Sequence, residues 1–172
     1  TSGRQEQAAS MMKENHDWDD LSRLIVEQAS KLLSEGRHRL LLSWIEGIPE
    51  TERVYNDQIS FLHGLCLLPA APRKSLPLFV HAMNLAAEKG NGEIAFRSWT
   101  GAVESVVYES DNFDDMESLL ERKKELMETF HGYSSRRLEA EVATGMLAAL
   151  VLGRIGDPDV DLWGQKATAL QK

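Results

Sequence analysis

Carboxylates crowd together at Asp17-Trp18-Asp19-Asp20, Asp114-Asp115 and Asp157-Pro158-Asp159-Val160-Asp161. Acids at alternate positions are what an oxygen-ligated cation such as calcium takes from a loop, and the last cluster has the spacing of the first three such ligands. Leu162 stands where that loop needs glycine, however, and Thr168 where it needs the bidentate glutamate. Helix capping is the better account, because a carboxylate at a helix start accepts free backbone N–H groups and complements the positive dipole end. The five histidines, His16, His38, His63, His81 and His131, include no pair at the short spacing of a two-histidine metal face. His63 and His81 could meet across one hairpin, with Cys66 one turn from His63, but a lone cysteine in the apolar run 61–68 is expected to be inert core. No metal or cofactor is therefore expected.

Nucleophilic and phosphate chemistry find no better footing. The serines stand in no Gly-x-Ser-x-Gly elbow, and there is no Gly-x-Gly-x-x-Gly or phosphate loop. Gly36-Arg37-His38-Arg39 is a local basic cluster and reads as a helix start at the surface. The chain is thus expected not to be an enzyme. What remains is binding, for which aromatic and arginine side chains make the strongest anchors. Of the four tryptophans, Trp18 and Trp163 sit at turns or helix starts, where packing between hairpins accounts for them. Trp44 and Trp99 lie on apolar faces and read as core. Arg97, two residues before Trp99 and on another face, is the candidate for a groove-lining partner contact.

The elements that position these residues are helices. Apolar residues recur at three- and four-residue spacing throughout, and about nine helices follow from that period. They run Gln5–Asn15, Asp20–Glu35, Arg37–Ile48, Thr51–Leu68, Ser75–Glu88 with Ser75 as N-cap, Gly92–Tyr108, Asp114–Phe130, Ser135–Ile155 and Asp159–Gln171. Links of a few residues make neighbours antiparallel, giving stacked hairpins or a bundle. Internal repetition favours the stack. Glycines recur at mid-helix in Leu62-His63-Gly64-Leu65, Trp99-Thr100-Gly101-Ala102 and Ala143-Thr144-Gly145-Met146, at intervals of 37 and 44 residues. A mid-helix glycine costs about 1 kcal/mol relative to alanine, so its recurrence predicts close approach of a neighbouring helix. A second echo joins the turns His16-Asp17-Trp18-Asp19-Asp20-Leu21 and Asp111-Asn112-Phe113-Asp114-Asp115-Met116, where an aromatic wedges into the preceding hairpin and acids cap the next helix.

Composition narrows the partners. Lys and Arg total 19 against 27 Asp and Glu, a net charge of -8, which opposes contact with phosphate backbones or anionic lipid. No apolar run approaches the roughly 20 residues of a membrane helix, and 1–7 lacks a signal peptide's apolar core, so a cytoplasmic location is expected. The first residue is not methionine, and Thr1 to Gly3 read as a possible cloning scar, which points to a single helical-repeat domain, 1–172, excised from a longer chain.

The turn pattern resembles that of a tetratricopeptide unit, with Ser75, Phe79 and Ala82 at its small, aromatic and alanine positions. The tryptophan and tyrosine of that motif's first helix are absent at the expected spacing. A closer resemblance covers Asp17-Trp18 through Leu32-Leu33-Ser34-Glu35-Gly36-Arg37 to Leu42-Ser43-Trp44-Ile45-Glu46-Gly47-Ile48-Pro49. There the chain is similar to the repeat domain of MalT-like, LuxR-type ATP-dependent bacterial transcriptional activators. The segment Ser75 to Trp163, with Ala148-Ala149-Leu150 and Asp157-Pro158, resembles the same regions. The resemblance implies an all-α right-handed superhelix of antiparallel hairpins, a protein-interaction or sensor arm whose concave groove takes a protein partner. The alternatives are an arm binding a small-molecule inducer and a stand-alone scaffold. Weak self-association end to end is also expected, since each repeat hairpin buries its apolar face on its neighbours.

Overall fold

The computed structural model describes residues 2–110 and 112–170. Ten helices follow one another: α1 Ser2–Glu14, α2 Trp18–Ser34, α3 His38–Ile45, α4 Glu50–Arg53, α5 Asp57–Leu67, α6 Pro72–Glu88, α7 Gly92–Glu109, α8 Asp115–Phe130, α9 Arg136–Gly153 and α10 Val160–Leu170. No strand occurs among the described residues. The expectations at Thr1, Asp111, Gln171 and Lys172 lie outside them.

The apolar period decides which face each helix buries. In α2, Leu21, Ile25, Ala29 and Leu32 form one buried stripe. In α7 the burial runs around the helix, taking in Phe96, Trp99, Ala102, Val103 and Val106 as well as Ser98 and Ser105. The packing explains the contrast. Helices α2, α5, α7 and α9 touch in that order and form a connected row, while α3, α6 and α8 each pack against two members of it and α10 packs on α9. A helix in the middle of the row therefore has neighbours on several sides.

Side chains mark several helix boundaries. Asn56, Asn91 and Ser135 each accept the backbone N–H three residues on, closing the starts of α5, α7 and α9. Gly36 and Gly90 adopt φ of +71° and +73°, and the following N–H groups of Arg37 and Asn91 reach back to Leu32 and Ala86 carbonyls. Glycine is favoured there because a side chain would be strained in that conformation.

Three expectations are corrected. The single helix at Thr51–Leu68 is two, so there are ten helices among the described residues where nine were expected. Asn56, extended at φ -112° and ψ 106°, breaks the run, because its side chain offers the Ile59 N–H a partner that a continuing helix would not. Ser75 is not an N-cap. The helix starts at Pro72, whose missing N–H is harmless at a first turn, and the Ser75 hydroxyl is buried 2.8 Å from Ser105 Oγ. Asp17 and Asp114 stand at N-cap positions without making a side-chain cap. Asp114 instead takes part in an Asx-type turn with Asn112, leaving only the dipole attraction of the acids in each first turn. The aromatic wedges Trp18 and Phe113 do pack, half-buried, against the core.

The recurrent glycines sit where aromatic rings need room. A methyl group on Gly101 would lie 2.5 Å from Phe79 Cε1, and one on Gly64 would lie 2.8 Å from the same atom. One ring from α6 thus fills the space left by glycines on both α5 and α7. At Gly145 the neighbour is Trp99, 3.0 Å away at Cζ3. The close approach expected at these glycines is made by a side chain, fully buried in both cases.

Candidate binding groove

The row α2, α5, α7 and α9 lines a groove of about 1000 Å³. Helical period places its walls. On α7, Arg97, Gly101, Glu104 and Tyr108 follow at three- and four-residue steps, and on α9 Arg137, Glu141, Gly145 and Ala148 do the same. The faces of α7 and α9 that carry the recurrent glycines are therefore also groove walls. The α2 and α5 side is uncharged and mostly apolar, with Val26, Ala29, Leu33, Phe61, Leu62 and Leu65 beside Ser30, Ser34 and Gln58. The α7 and α9 side is mixed. One groove thus has an apolar half and a charged half.

Arg97 lies in this groove, half-buried, with its charge already engaged. Its Nε donates to Glu141 Oε2 at 3.3 Å, and Nη1 is 3.6 Å from Glu93. Arg137 Nε donates to the other Glu141 oxygen at 3.0 Å. Glu141 therefore holds two arginines and ties α7 to α9. Asn91, at the groove's end, caps α7 through Oδ1 and donates through Nδ2 to the buried Asp57 at 2.8 Å.

Glu104 differs from the other groove carboxylates. It is exposed to the groove, and among the described residues no ion pair or hydrogen bond involves its carboxylate. Desolvation by the surrounding helices raises its pKa above the usual glutamate value, and repulsion from Glu141 adds to the rise. Sequence reasoning singled out Arg97, which lines the groove, and passed over Glu104, Arg137 and Glu141, which line it too. The available signal was the face itself, since Arg97 and Glu104 flank Gly101 at the same offsets as Glu141 and Ala148 flank Gly145.

The other candidates disperse. Trp99 is fully buried and its indole N–H donates to Leu119 O at 2.6 Å, and Trp44 is core. Trp18 and Trp163 are half-buried against the core. His81 Nε2 is 2.8 Å from Val54 O. Burial pushes the His63 pKa down, Arg53 adds to that, and Glu46 opposes it. The Cys66 thiol is buried, with its pKa pushed up to about 12 by desolvation and by Glu46, which makes it a poor nucleophile. No group of three histidine, cysteine or acidic side chains is placed to hold a metal among the described residues. Asp157 accepts from the Asp159 N–H at 2.8 Å and so shapes the turn before α10. The basic cluster disperses too, with Arg37 paired to Glu6 at 2.8 Å. No described helix is long and apolar enough to cross a membrane.

No protein-family model, curated protein or solved structure matches the chain.

Proposed function

We propose that this chain is a non-catalytic interaction module of the helical-repeat kind, built as a superhelix of tetratricopeptide-like hairpins, that takes a polypeptide partner in the groove of α2, α5, α7 and α9. The observation that carries the reading is the groove itself, a continuous space of about 1000 Å³ walled by four successive row helices. Repeat arrays use such surfaces for binding, with apolar side chains supplying affinity and a few polar groups fixing orientation. Setting the module within a bacterial transcriptional regulator rests on the similarity of Asp17–Pro49 and Ser75–Trp163 to such activators. A net charge of -8 argues against direct nucleic-acid contact, and a cytoplasmic location belongs to the same regulator reading. The exposed Val151, Ile155 and Leu162 near the α9 to α10 turn support weak self-association through that end.

A second reading, a small-molecule inducer in the same groove, is favoured by the volume, which is at the upper end of the roughly 300–1,000 Å³ typical of ligand pockets. Selection of displayed random peptides on the intact chain tests the polypeptide reading. Binders should lose at least about tenfold in affinity, roughly 1.4 kcal/mol, when Val26→Trp or Ala148→Trp fills the groove. Binders that ignore both substitutions and protect the α6 and α8 amides from hydrogen exchange would sink the groove reading.

A further inference from the structure

The groove's charge pattern names the chemistry of its occupant. Of its three glutamates, Glu93 and Glu141 already face Arg97, and Glu141 also holds Arg137. Glu104 has no cation, although it stands on a wall shared with Val103, Val107 and Ala148. Partial desolvation by the surrounding helices makes a matching cation more favourable for this carboxylate than for a fully solvated one, and no described residue supplies it. Across the groove the α5 and α2 walls offer apolar side chains and no charge. An occupant matching both halves presents apolar side chains to one and a cation to the other.

Resting on the groove reading above, we propose that the occupant is an amphipathic polypeptide segment whose apolar side chains cover Val26, Leu33 and Leu65 and whose lysine or arginine pairs with Glu104. The arginines of the groove do not repel it strongly, because Glu93 and Glu141 together balance the charges of Arg97 and Arg137. Acidic segments are excluded twice, by Glu104 and by the chain's net charge of -8. Glu104 therefore sets specificity by discriminating between partners of equal apolar content.

Labelled synthetic peptides sharing one amphipathic leucine pattern, with polar positions all lysine, all glutamine or all glutamate, test this by fluorescence anisotropy at physiological ionic strength. The expected order is lysine over glutamine over glutamate, with the lysine peptide ahead of the glutamine peptide by about tenfold. Glu104→Gln should erase most of that advantage, and Glu104→Lys should transfer it to the glutamate peptide. Glu128→Gln, a charge removal on the exposed face of α8, should leave the order unchanged. A lysine preference that survives Glu104→Lys, or that Glu128→Gln weakens equally, would show a response to net charge alone and overturn the proposal. If the glutamine peptide then still lost binding to Val26→Trp, the groove reading would stand without its cation. If no peptide bound, or binding ignored Val26→Trp, both would fall.

Discussion

Helices α7 and α10 carry similar apolar periods, yet their surroundings differ. Around α7, Phe79 from α6 occupies the space left by Gly64 and Gly101, and Trp99 fills the hollow at Gly145 while donating to Leu119 O. In α10 Ala167 is the one buried residue. Trp163 stays half-buried, with Lys123 and Lys166 ammonium groups 4.8 and 5.0 Å from its ring, and Lys166 paired to Glu139 at 2.9 Å. Leu162 is 61% exposed and Ile155, in the turn before α10, 94%. The lesson is that an apolar stripe states only what a helix can bury. How much it does bury depends on how many neighbours surround it, and those held by exposed charge and cation–π contact gain less per contact than those held by dry packing.

The largest expected effect tests the dry side. Phe79→Ala removes a ring shared by two glycine hollows and should cost about 3–5 kcal/mol, read as a lowered urea midpoint. Gly101→Leu should cost about 1–3 kcal/mol through overpacking, and the cost should shrink in the Phe79→Ala background, where the cavity can accept the new side chain. A double-mutant cycle with no coupling would show that the ring and the glycine are independent. A higher melting temperature for Gly101→Leu would remove the packing role altogether.

On the weaker side, Trp163→Ala should cost only about 1–2 kcal/mol, and hydrogen exchange should speed in α10 and at the end of α9 while α7 stays protected. Equal loss of protection in α7 would mean that the two regions open together. The smallest effect belongs to the groove. The folded-state pKa of Glu104 is raised, so its ionised form disfavours folding above that pKa, and the penalty disappears as pH falls below the unfolded value near 4.3. Glu104→Gln should accordingly be slightly more stable than the parent at pH 7, by about 0.5 kcal/mol or less, and the gain should fade on acidification. A variant less stable at neutral pH would show that Glu104 has a partner in the folded chain.

Much of this was legible in the residues. The helical period located the helices because amphipathic spacing is a local property, and mid-helix glycines pointed to close contacts because their intrinsic cost calls for a tertiary reason. The break at Asn56 escaped that reasoning, since asparagine inside an apolar period is read as an exposed helical position until its side chain is seen to cap Ile59. Ser75 misled for the same reason, a hydroxyl being equally suited to a cap and to a buried partner such as Ser105.

The sequence by itself determined the all-helical class, the apolar faces, the glycine positions and the acidic balance, all of which follow from residue type and near-neighbour spacing. Tertiary structure alone decided that Gly64 and Gly101 share one ring, that Glu141 contacts both arginines and that Glu104 is left without a cation among the described residues of the groove. Those outcomes depend on which helices come to lie side by side, and residues 44 apart, such as Arg97 and Glu141, are brought within bonding distance only by packing.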